Sequence, residues 1–106
     1  MKFMLMICGD ENLPGSDIPV EPWVEEMTAR GIRLQGNRLR PSVDAATVRV
    51  RDSGAVVTDG PFAETKEQMG GFDLIECADL AEAIEVASKH PVARVGAIEV
   101  RPFWDD

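Results

Sequence analysis

The run from Lys2 to Cys8, KFMLMIC, constrains this chain more than any other stretch. Strand alternation puts Phe3, Leu5 and Ile7 on one face and Met4, Met6 and Cys8 on the other. Both sets are apolar, so the strand needs cover on both sides. The chain's own helices can cover one side. With 106 residues, little is left to cover the second, and the expected cover is another copy of the chain, a homodimer. The run is too short to span a membrane. It also leads into Gly9-Asp10-Glu11 rather than a small-residue cleavage site, so it reads as a buried strand of a cytoplasmic protein and not as a signal peptide.

The remaining elements follow from periodicity and punctuation. Val20, Trp23, Val24 and Met27 recur at helical spacing, with Pro22 at the first turn and Gly31 as the stop. Trp23 is read as a core anchor. Ile32 to Gln35 alternates as a second strand, and Asn37 to Asp44 is a connector. Thr47 to Arg51 and Ala55 to Thr58 flank Asp52-Ser53-Gly54 and predict a hairpin. Gly71 to Cys77 is a further strand. Asp79 and Glu82 have the spacing of a capping box, opening a helix whose apolar stripe is Leu80, Ala83, Ile84 and Ala87. Pro91 ends it, and His90 is read as a cation at the helix end. Gly96 to Arg101 is the last strand. The order β-α-β, hairpin, β-α-β predicts one α+β domain over residues 1–106. Its sheet is a ferredoxin-like β-α-β repeat with an inserted β-hairpin and two helices on one face.

Charge narrows the function classes. A net charge of -8 argues against direct nucleic-acid binding and against an anionic membrane surface. Six of the eleven basic residues are arginines between Arg30 and Arg51. Arg49 and Arg51 share one face of their strand, and Asp73, Glu99 and Arg101 alternate against apolar neighbours in the same way. These groups predict a charged lattice on one sheet face. It would consist of arginine–carboxylate pairs holding a dimer, or of an anion pocket for a carboxylate or phosphate ligand. Cys8 and Cys77 lack metal-ligand spacing and read as buried hydrophobes. No glycine-rich phosphate loop, ligand cluster or nucleophile–histidine arrangement is present, so no metal and no cofactor is expected.

The densest chemistry lies in Asp59-Gly60-Pro61-Phe62-Ala63-Glu64-Thr65-Lys66-Glu67, a connection longer than most. Phe62 is expected to anchor the loop in the core. Asp59 and Glu64 are the candidate acid–base residues, because neighbouring acids beside a lysine shift one another's titration. Phe62, Lys66, Glu67, Arg49 and Arg51 are the candidate ligand-binding residues. The competing reading gives Asp59 a turn role, with its carboxylate accepting from nearby amides. Catalysis and plain binding therefore stay open as alternatives.

The run TDGPFAETK, Thr58 to Lys66, followed by Glu67, Gln68 and Gly70-Gly71, resembles the signature of DGPF-type proteins in the YCII-related family. The opening Met1 to Ile7 and the closing Val100-Arg101-Pro102 fit the same pattern. The resemblance implies a dimeric, ferredoxin-like α/β barrel and a biochemical role that is not defined. Relatives carry a longer segment at the first helix. Some have been proposed to use a His–Asp pair, at a position that His90 does not match. Members also occur beside or fused to extracytoplasmic-function sigma factors. Two functions are therefore expected: from the dense ionisable loop, a binder of a small polar or anionic metabolite in a cleft walled by residues 59–67; from the resemblance, a non-catalytic accessory or regulatory protein with a transcription-related partner.

Overall fold

The computed structural model describes residues 1–105. Six strands and two helices follow one another: β1 (Lys2–Gly9), α1 (Glu21–Ala29), β2 (Arg33–Arg38), β3 (Ala46–Arg51), β4 (Gly54–Asp59), β5 (Gln68–Glu76), α2 (Leu80–Ser88) and β6 (Ala97–Pro102). The main sheet has the order β2-β5-β1-β6, and every neighbouring pair is antiparallel. That order, with α1 and α2 as the crossovers, is compatible with a ferredoxin-like fold. Among the described residues, strands β3 and β4 pair only with each other, as a separate two-stranded sheet. Its base is clipped by the Gly60 amide to the Ala45 carbonyl at 2.7 Å and by the Thr47 hydroxyl to the Gly60 carbonyl at 2.9 Å.

The core lies between one face of the main sheet and the two helices. Phe3, Leu5 and Ile75 come from the sheet, Trp23 and Met27 from α1, and Ala83, Val86 and Ala87 from α2. Phe3 sits opposite Ile75, and Leu5 opposite Asp73, so these residues share the helix-covered face. The α2 stripe is rotated from the expected one: Ala83, Val86 and Ala87 are buried, while Leu80 and Ile84 are exposed. Two alanines and a valine allow a closer approach to the sheet than a leucine–isoleucine stripe would. The other sheet face carries Met4, Met6, Phe72 and Leu74, all partly exposed. The chain is a slab with principal extents of 49 × 39 × 19 Å. Sheet and helix layers stack at about 10 Å, so this thickness leaves no room for a third layer.

Helix boundaries follow local chemistry. Pro22 lies in the first turn of α1, and Gly31 adopts φ 72°, a left-handed value that glycine takes without a Cβ penalty. At α2 the Asp79 carboxylate accepts from the Glu82 amide at 2.9 Å, and the Glu82 carboxylate accepts from the Ala78 amide at 2.9 Å. Glu82 therefore reaches one residue further back than in the usual capping box. Asp79→Ala is expected to cost about 1 kcal/mol, read as a lower urea midpoint at unchanged slope.

The charged lattice does not form on one face. Arg49 and Arg51 lie on the separate two-stranded sheet, and Arg51 donates to the Val50 carbonyl of its own strand. Arg101 pairs with Glu99 on the open face of the main sheet. Asp73 belongs to the opposite, helix-covered face, where it is 5% exposed. Two separate sheets and two opposite faces thus divide a set that alternation alone would group together.

Candidate functional site

Three ionisable side chains meet under the helices. Arg33 on β2 and Asp73 on β5 stand on adjacent strands, and the Arg33 Nε donates to Asp73 Oδ1 at 2.7 Å. The contact needs Gly36: a β-carbon there would collide with Asp73 Oδ1 and with Arg33, and would lie 2.8 Å from the Phe72 carbonyl oxygen. His90 follows α2 and caps the 3-10 turn Pro91–Arg94, its Nδ1 accepting from the Val92 amide at 3.1 Å. It is 5% exposed. The Trp23 ring meets it edge-on at 4.7 Å, and the Trp23 indole N–H is itself held by the Val86 carbonyl at 3.0 Å. His90 is therefore no solvent-facing cation at a helix end. Pro91 stops α2 and folds the next turn back over the sheet, which carries the imidazole inward.

Burial dominates the titration of this group. It raises the Asp73 carboxyl above its ordinary value, although the Arg33 guanidinium beside it and, more weakly, His90 pull it back down. It lowers His90, against the attraction of Asp73. The imidazole is thus kept neutral, and the carboxylate is a stronger base than an exposed aspartate.

Asp73, His90 and Arg33 line a cavity of about 530 Å³. Its apolar walls come from Ile7 on β1, Val20 and Val24 at α1, and Val92. A bulge forms one rim: Ile7 pairs with Gly71 but Cys8 with Met69, so the extra residue in β5 is Gly70. Cys8 also lines the cavity, and burial raises its thiol pKa. It is a free thiol rather than a thiolate nucleophile. Cys77 is likewise free and buried, its pKa raised to about 11, mainly by burial.

A second cleft, of about 490 Å³, adjoins the first and shares Asp10, Glu11 and Gln68 with it. Here the 59–67 loop contributes Asp59, Glu64 and Lys66. Gly60 turns the chain at φ 93°. Phe62 does not anchor the loop, being 81% exposed. The anchor is Gln68, whose amide donates to the carbonyls of Ala63 at 3.0 Å and Thr65 at 3.1 Å. The cleft's far wall is tied by Glu11, which accepts from the Ser42 amide at 2.7 Å and from the Ser42 hydroxyl. These bonds lower the Glu11 pKa. Four carboxylates, Asp10, Glu11, Asp59 and Glu64, stand around Lys66 in this cleft, so its field favours neutral or cationic groups over anions.

The structure thus brings Asp59, Glu64 and Lys66 together around one cleft. Glu67 and Phe62 are exposed and stand outside its lining, and Arg49 and Arg51 are exposed on β3. Among the described residues no amide donates to the Asp59 carboxylate, and no His/Cys/Asp/Glu cluster suits a metal ion. Sequence reasoning put Asp73 in a charged lattice rather than beside Arg33, its partner on the adjacent strand, and misjudged His90. One signal could have shown that Asp73 is buried: residues 71, 73, 75 and 77 share one register, and an aspartate in that otherwise apolar set needs a buried partner.

A protein of Rhizobium meliloti, described as uncharacterized, is 51% identical over 68 residues, covering 62% of this chain. The match spans 55% of that protein, little more than half its length. The family model of the YCII-related domain matches residues 1–105. The chain therefore belongs to the YCII-related domain family.

Proposed function

We propose that this protein is a DGPF-type member of its family that binds a small molecule across the two adjoining hollows. The observation that carries this reading is the pairing of an apolar cavity with two convergent, buried titratable groups, Asp73 and His90. The apolar body of the ligand enters the cavity under α1. Its polar end lies in the cleft of the 59–67 loop, oriented by Asp59, Glu64 and Lys66. Acid–base chemistry belongs to the Asp73–His90 end, where both residues are buried. Two copies close face to face as a dimeric α/β barrel, with β3–β4 as the inserted hairpin. Two features support this closure: the open sheet face carrying Met4, Met6, Phe72 and Leu74, and the exposed Val48, Val50 and Val57 on one face of the hairpin. On this reading the protein works in the cytoplasm, where its two free thiols stay reduced.

Thermal shift and saturation-transfer NMR with cyclohexanone, cyclohexanol and benzylamine test the binding. At a hundredfold excess over Kd a ligand stabilises the fold by about 2.7 kcal/mol. Val24→Phe, which fills the cavity, is expected to abolish that shift. If no probe stabilises or contacts the wild type, or if Val24→Phe leaves the shift intact, the cavity is not the site.

A further inference from the structure

The cavity wall fixes which proton each titratable group can handle. His90 Nδ1 is occupied as an acceptor by the Val92 amide. A neutral imidazole has one acceptor nitrogen and one donor nitrogen, so the proton resides on Nε2. Among the described residues no buried side-chain nitrogen or oxygen lacks a partner, and Nε2 makes no hydrogen bond. Nε2 therefore opens onto the cavity that His90 lines. It can donate but not accept, so it is not a general base. Asp73 is in the complementary position. Oδ1 is taken by Arg33, and Oδ2 is left as an acceptor at the same cavity. A carboxylate acceptor and a neutral N–H donor thus face one apolar space.

We infer that the pair enolises small carbonyl compounds: Asp73 Oδ2 takes a proton from the carbon beside a bound carbonyl, and His90 Nε2–H holds the carbonyl oxygen. The Cα–H bond breaks and its electron pair forms the C=C bond. The carbonyl π pair moves onto oxygen, where the His90 N–H meets the developing charge. Asp73 then returns the proton to the same carbon or to a conjugated one, so the base is regenerated and no oxidant, reductant or metal is required. A neutral histidine suits this role, because an imidazolium beside Asp73 would draw the carboxylate into an ion pair and weaken it as a base. The substrate class is a small, largely apolar ketone or enone. Arg33 is a positioning residue that fixes Oδ1 and leaves Oδ2 directed at the substrate.

This assignment rests on the binding proposed above, and one experiment separates the two. Cyclohexanone is incubated with the intact protein in D₂O. Saturation transfer reads occupancy of the cavity, and loss of the α-proton signal reads enolisation. The wild type is expected to exchange the α-protons about a hundredfold faster than buffer, and Asp73→Asn to abolish that gain. His90→Leu, which removes the N–H donor at similar volume, is expected to lose that gain as well. The wild-type rate is expected to fall as pH drops through the raised value of Asp73. The charged and titratable groups lining the cavity with Asp73 are Arg33 and Arg38 from β2, Cys8 from β1, His90 before the 3-10 turn, and Asp10 and Glu11 from the segment after β1. Arg33→Gln, which removes the lowering guanidinium, moves this acid limb to higher pH, a result that simple loss of structure does not mimic. Saturation transfer without exchange above buffer overturns the enolisation and leaves the cavity as a binding site. So does an acid limb unmoved in Arg33→Gln. Absence of saturation transfer removes both readings.

Discussion

Asp73→Ala is expected to destabilise the protein by about 3 kcal/mol, the lower end of what breaking a buried ion pair costs. The Arg33 side chain keeps 19% of its surface exposed and the Asp73 side chain 8%. Removing the carboxylate therefore strands a guanidinium that water reaches only partly. Chemical denaturation reads the loss as a lower midpoint with unchanged slope. The double change Arg33→Met with Asp73→Leu recovers most of it, because a packed apolar pair avoids the cost of burying two charges. A chain that gains stability from losing both charges would be retaining the pair for chemistry rather than for folding. If Asp73→Ala is neutral, the pair is hydrated, and Asp73 is not the desolvated base that the enolisation needs.

Phe3→Ala is expected to cost more, about 4 kcal/mol. Phe3 is fully buried, lies between Ile75 and Pro102 across β1, and packs under both helices. That loss is a large share of the 5–15 kcal/mol that holds a typical domain together. Its neighbour Met4 points to the open face and is only partly buried within the chain. Met4→Ala therefore separates two cases. In an isolated chain its cost is well under half that of Phe3→Ala. In a face-to-face dimer the cost approaches that of a core residue, and the melting temperature rises with protein concentration. Equal, small and concentration-independent losses at Met4 and Met6 would count against the second copy.

These two residues also show what could be read from sequence. The alternation in Lys2–Cys8 placed Phe3 and Leu5 opposite Met4 and Met6, and the fold keeps that division because a strand's period leaves no freedom. The capping chemistry at Asp79 was equally local. The site was less legible because its parts are distant in sequence. Arg33 and Asp73 are 40 positions apart and meet only because β2 and β5 are neighbours, which strand order alone decides. Gly36 gave no hint of the space it leaves for them. His90 carries the residue pattern of a helix end, yet the proline that ends the helix also directs the ring inward. At Phe62 the error ran the other way. The loop is held by Gln68 hydrogen bonds to its carbonyls, which hydrophobicity patterns do not register, and the aromatic ring is left in solvent.

The placement of the two indoles gives the protein an internal optical reporter. Trp104 is 92% exposed and Trp23 is 6% exposed, and the sequence has no tyrosine to add background. Acrylamide reaches the first ring and not the second, so quenching separates their emission. Because Trp23 touches His90, the shielded component changes when a molecule enters beside the imidazole. With Trp104→Phe in place, the intrinsic fluorescence of the chain reports cavity occupancy directly, without an attached dye.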